Sequence, residues 1–193
     1  MKNLTLMVIA VLGMALTPIT EKGKQLSDAA IERTSHDIVY NGAYERLEYP
    51  GGDVSDRNGV CTDVIIRSYR KAFNVDLQKE IHEDMKANFD AYPSNRIWGL
   101  NTPDKNIDHR RTQNQECFLK RKGAKLSITD KPEDYLPGDL VYWGDIASGH
   151  VGIVVNKYTD EGVPMVVHNI GAGPKLEDFL FASRITGHYR WLP

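Results

Sequence analysis

Two cysteines in 193 residues are too few for a disulfide scaffold. The chain contains no Cys-x-x-Cys or His-Glu-x-x-His spacing from which a zinc site could be built. Neither sign of charge dominates. With 24 Lys and Arg against 26 Asp and Glu the net charge is -2, so no basic field favours nucleic acid or an anionic membrane surface. Internal repeats, low-complexity tracts and Pro- or Gly-rich linkers are also missing. A composition of 41% hydrophobic and 26% charged residues suits one globular domain with a single core.

The one long apolar run is N-terminal. Lys2 precedes Leu4 to Leu16, then come Pro18 and a charged stretch from Glu21. The run falls short of the roughly 20 residues that span a bilayer, and with its basic start it reads as a secretory signal peptide. Residues 1–22 are therefore expected to be signal and 23–193 one mature domain. Export to the periplasm or beyond follows, with no membrane span left after cleavage. Oligomeric state is not legible.

Helical spacing is expected over Ser27 to Leu47, with Ser27 and Asp28 as cap candidates, over a helix starting at Cys61, over Leu77 to Phe89, and around Cys117. Strand character follows at 124–128, 139–143, 150–156, 163–170 and 185–191. Helices first and antiparallel strands after define an α+β class.

The chemistry-bearing residue is Cys61, in Asn58-Gly59-Val60-Cys61-Thr62-Asp63. A helix start offers unpaired N–H groups and a positive dipole end that stabilise a thiolate. Val64, Ile65, Ser68, Tyr69, Ala72 and Phe73 continue the stripe and turn the sulfur toward the core. His150 opens a strand after a Gly149 turn, and His168 alternates with Val166 and Ile170 on the next strand, so the two imidazoles can meet across neighbouring strands. The pattern suits a nucleophile, a base and an orienting third residue. Each histidine alone reads equally as a structural one. In an oxidising compartment Cys117 could pair with Cys61 and silence it, although beside Phe118 and Leu119 it also reads as a small buried hydrophobe.

Arg110 and Arg111 offer bidentate contacts to substrate carboxylates, or else pair with Asp108 or Glu116. Trp143 is a candidate groove wall or core residue. Asp63 and Asn169, flanking the nucleophile and His168, complete the expected substrate-facing set. Asp63, His82, Glu83, Asp84, Asp108 and His109 could supply metal ligands, but their spacing matches no metal motif, so no metal and no cofactor are expected.

The order Cys61, then Pro137-Gly138-Asp139-Leu140-Val141-Tyr142-Trp143, then Gly149-His150-Val151-Gly152-Ile153-Val154, then Val166-Val167-His168 resembles the NlpC/P60 group of papain-like cysteine peptidases. Gly59-Val60-Cys61-Thr62-Asp63-Val64, His82-Glu83-Asp84-Met85, Asn106-Ile107-Asp108-His109-Arg110-Arg111, His168-Asn169-Ile170-Gly171 and Ile185-Thr186-Gly187-His188-Tyr189-Arg190 are similar to the bacterial DUF1287 family. The resemblance implies a papain-like fold with helices on a small antiparallel sheet. It also implies Cys61 as nucleophile, His150 as base and His168 as the residue that orients it. NlpC/P60 enzymes usually carry Asp-Cys-Ser/Thr-Gly, whereas this chain has Val60-Cys61-Thr62-Asp63. The substrates implied are amides in peptidoglycan stem peptides or other peptides. A thiol acyltransferase with the same thioester, and a binding module without catalysis, stand as alternatives.

Overall fold

The computed structural model describes residues 19–146 and 149–193. The expected signal peptide therefore lies outside the described residues, apart from its last few. Five α-helices precede a five-stranded sheet: α1 Glu21–Arg33, α2 Cys61–Phe73, α3 Leu77–Asn88, α4 Ser94–Trp98 and α5 Thr112–Arg121. Two short strands, β1 Val39–Tyr40 and β2 Asn58–Gly59, pair in parallel before α2. The main sheet comprises β3 Leu140–Trp143, β4 His150–Tyr158, β5 Pro164–His168, β6 Lys175–Glu177 and β7 Ile185–Tyr189, in the order β6-β5-β4-β3-β7. All of its neighbours are antiparallel, giving the α+β class. Among the described residues no helix is long and apolar enough to cross a membrane.

Alternation along the strands divides the core. Val151, Ile153 and Val155 of β4 join Leu140, Tyr142, Val167 and Tyr189 against the buried stripe Cys61, Val64, Ile65 and Tyr69 of α2. The intervening residues face the other way, where Val154, Val141, Trp143 and Val166 pack with Tyr135 and Leu180. A period of two thus gives each strand one side in each layer.

The first helix departs from its expected span. It begins at Glu21, because Thr20 caps it by accepting from the Gly23 N–H at 3.0 Å. Ser27 is fully buried and accepts from the Asn156 N–H at 2.8 Å, so it fastens α1 to β4 instead of capping a helix. Beyond Arg33 the chain turns into β1. Residues 124–128 contribute only a bridge between Lys125 and Tyr189.

Candidate active site

The site is built around the start of α2. Val60, the N-cap residue, is extended and has no side-chain acceptor. Asp63 supplies the other half of a capping box, its Oδ2 accepting the Val60 N–H at 2.7 Å. The same carboxylate receives Arg110 in a fork, Nε to Oδ1 at 2.9 Å and Nη2 to Oδ2 at 2.8 Å, with both side chains buried. Arg110 also donates to the Asn41 and Ala43 carbonyls, and Thr62 Oγ1 donates to the Arg110 carbonyl at 3.0 Å. The first turn of α2 is thereby pinned to the 41–43 segment and to residue 110.

Cys61 sits inside that clamp and is 5% exposed. Burial pushes its thiol up to about 11, against the backbone N–H groups of Val151, Thr62 and Cys61 itself, which pull it down. The helix start does aim donors at the sulfur, as the sequence suggests, but desolvation is the larger effect. The resting group is a thiol, not a thiolate.

The Val151 N–H is available for a structural reason. Val154 donates to Asp139 and accepts from Gly138, both on the β3 side. Alternation then turns the Val151 peptide toward the β5 side. There β5 has ended, since its last residue, His168, pairs with Gly152. A ladder N–H left without a strand partner faces the cysteine.

His150 and His168 stand together on the layer away from α2. His150 Nε2 and His168 Nδ1 are 2.7 Å apart, and His168 Nε2 lies 2.8 Å from Glu177 Oε2. Phe179 lies over His168 with ring centroids 4.3 Å apart, and Trp143 lies beside both histidines. Gly152 makes room for this pair. A Cβ there would lie 3.1 Å from His168 Cβ and 2.5 Å from Val166 Cγ1. Burial holds His150 down at about 4, with His168 adding to the effect. Burial also lowers His168, while Glu177 raises it. No hydrogen bond joins Cys61 to His150 in this arrangement; the nearest link is the Val151 N–H, one residue along the chain.

His150 lines a cleft of about 280 Å³ with Gly149, Thr112, Gln113, Trp143 and Thr186. A larger hollow of about 600 Å³, holding Arg96, Lys120 and Cys117, shares Gln113 and Glu116 with it. Cys117 donates to the Ala91 carbonyl at 3.2 Å, and neither cysteine is in a disulfide.

The expected substrate-facing residues are mostly used by the protein itself. Asp63 and Arg110 satisfy each other. Arg111 pairs with Asp108 at 3.1 Å and lies 4.0 Å over the Trp98 ring. Asn169 is buried and donates to the Gly59 carbonyl at 3.3 Å, so it ties the end of β5 to the approach of α2. Trp143 is fully buried and donates its indole N–H to the Leu180 carbonyl; it supports the histidines from within while only bordering the cleft. The six residues weighed as metal ligands are dispersed, and among the described residues no group of three His, Cys, Asp or Glu could hold a metal ion. Two neighbours went unread in the sequence: Glu177, on a three-residue strand too short for its alternation to register, and Tyr40. Burial raises the Tyr40 phenol, with Cys61 and Asp63 nearby adding to the effect.

An α+β domain with a buried helix-start thiol against one face of the sheet and a strand-borne histidine pair on the other is what this fold and site define. The chain belongs to the DUF1287 family: the model described as "Domain of unknown function (DUF1287)" matches residues 27–191. It is similar to a relative from Escherichia coli (strain K12), "Uncharacterized protein YijF", at 45% identity over 167 residues, covering 86% of this chain and 80% of the relative.

Proposed function

We propose that this protein is an exported cysteine amidase or endopeptidase of the NlpC/P60 type, acting on amide bonds in bacterial cell-wall peptides. The observation that carries the reading is the hydrogen-bonded His150–His168 pair at the strand end whose next N–H, that of Val151, faces Cys61. The Cys61 sulfur bonds to the amide carbon as its proton passes to His150, and the Cys61 N–H helps hold the oxyanion. Collapse breaks the C–N bond, the amine leaves with the proton from His150, and water then hydrolyses the thioester.

The thiol at about 11 and the imidazole at about 4 make the resting pair neutral, so the proton moves as the S–C bond forms instead of beforehand. Cys61 packs in the α2 layer and His150 beside Trp143 in the other, so direct proton transfer requires the first residue of β4 to turn its ring toward the Cys61 side when substrate binds. With the N-terminal run read as an export signal, the reaction takes place in the periplasm or outside the cell.

The test is to incubate the purified protein and its Cys61→Ala variant with peptidoglycan and to identify the soluble fragments by mass spectrometry. New amine and carboxyl ends are expected with the parent protein alone. Identical fragment profiles would rule out the hydrolase.

A further inference from the structure

Glu177 has no part in the scheme above, yet among the described residues it ends the side-chain hydrogen-bond chain that leads away from His150. In the β5–β6 pairing Val166 faces Glu177 and His168 faces Lys175. Glu177 is therefore the diagonal neighbour of His168 on the same face, a spacing that a long side chain bridges. Its Oε2 reaches His168 Nε2 at 2.8 Å.

A carboxylate only accepts hydrogen bonds, so the proton of that bond sits on His168 Nε2. Burial lowers both imidazoles, so each ring is neutral near pH 7 and carries one N–H. Nδ1 of His168 is then a lone-pair acceptor, and the 2.7 Å contact with His150 requires the donor to be His150 Nε2–H. The remaining nitrogen, His150 Nδ1, holds a lone pair and has no hydrogen-bond partner among the described residues. Phe179, two residues beyond Glu177, packs on the His168 ring at 4.3 Å, so one short segment fixes both the ring plane and the proton.

We propose that Glu177 is a positioning residue that sets the tautomers of His168 and, through it, His150, making His150 Nδ1 the nitrogen that takes a proton. The catalytic consequence rests on the reading of Cys61 and His150 as nucleophile and base; the tautomer order does not. Nearly half of the Glu177 side chain is exposed, so its replacement leaves the fold in place.

The experiment is ¹⁵N NMR of the histidine rings in the whole protein at neutral pH, for the parent, Glu177→Ala and Glu177→Gln. In the parent both rings are expected to be protonated at Nε2. Removing the acceptor in Glu177→Ala should bring in an Nδ1–H population at His168 and disturb His150 with it. In Glu177→Gln the amide oxygen still accepts, and the parent tautomers should persist. Fragment release by Glu177→Ala should fall about 10-fold, the low end of the cost of losing an orienting partner. A parent His150 protonated at Nδ1, or tautomers unmoved in Glu177→Ala, would overturn the proposal. Tautomers that move as expected while Cys61→Ala still cleaves would leave Glu177 in its role and remove the nucleophile.

Discussion

His168 and His188 each place Nε2 2.8 Å from a carboxylate on the same sheet, yet their surroundings differ. His188 Nδ1 ends on the Ser127 carbonyl, and Tyr135 covers the ring at 4.3 Å. Its partner Asp139 is fully buried and also receives Arg190 twice and the Leu136 N–H. Both ring nitrogens of His188 and both carboxylate oxygens of Asp139 are answered from within, and the network locks β7 to the start of β3. The His150–His168–Glu177 chain is open at both ends: Glu177 meets solvent, and His150 borders a cleft with one nitrogen unengaged. Residue types and distances are nearly the same in the two networks. Function is suggested by the unfilled hydrogen-bonding capacity beside space for a ligand.

That contrast can be broken or sharpened by substitution. The largest effect is expected for Asp139→Ala, which leaves His188 and Arg190 without their shared acceptor and should cost about 3–5 kcal/mol by urea unfolding. Gly152→Ala should cost about 1–3 kcal/mol, because the new methyl meets Val166 and His168, with no slack in a packed sheet; it should also slow fragment release by displacing His168.

Next comes pH. Burial holds His150 and His109 at about 4, below the ordinary 6.5. Protonation of either therefore favours unfolding. Their contributions are full above pH 6.5 and are lost as pH falls toward 4. Asp108, raised to about 6 mainly by burial, works in the opposite sense, with its contribution full below 3.8 and lost as pH rises through 6. His150→Gln should remove roughly 2 kcal/mol of the stability lost between pH 7 and 4.5, read from urea midpoints at the two pH values. The smallest change is expected for Glu177→Ala, below about 1 kcal/mol because its carboxylate is half in water. A cost equal to that of Asp139→Ala would erase the distinction between the networks.

Much of the frame was legible because it depends on local periodicity. The stripe from Cys61 to Phe73 and the alternation of β4 gave α2, the sheet layers and the neighbouring histidines. The missed parts depend on tertiary partners. Ser27 has the chemistry of a cap but is drawn into the α1–β4 contact, and Thr20 takes the capping role. Asp63 and Arg110, 47 residues apart, carry no sequence signal of being partners, so they read as substrate contacts. A helix start predicts a lowered thiol only for a group that keeps its solvent, and the depth of Cys61 appears only once the sheet covers it.

The most direct measurement is the initial rate of fragment release from peptidoglycan by His150→Ala and His188→Gln, compared with the parent at a temperature where all three are folded. A role for His150 in proton transfer predicts a fall on the order of 10³-fold for His150→Ala, while His188→Gln retains most of its activity. Equal losses in the two variants, or full activity in His150→Ala, would contradict it.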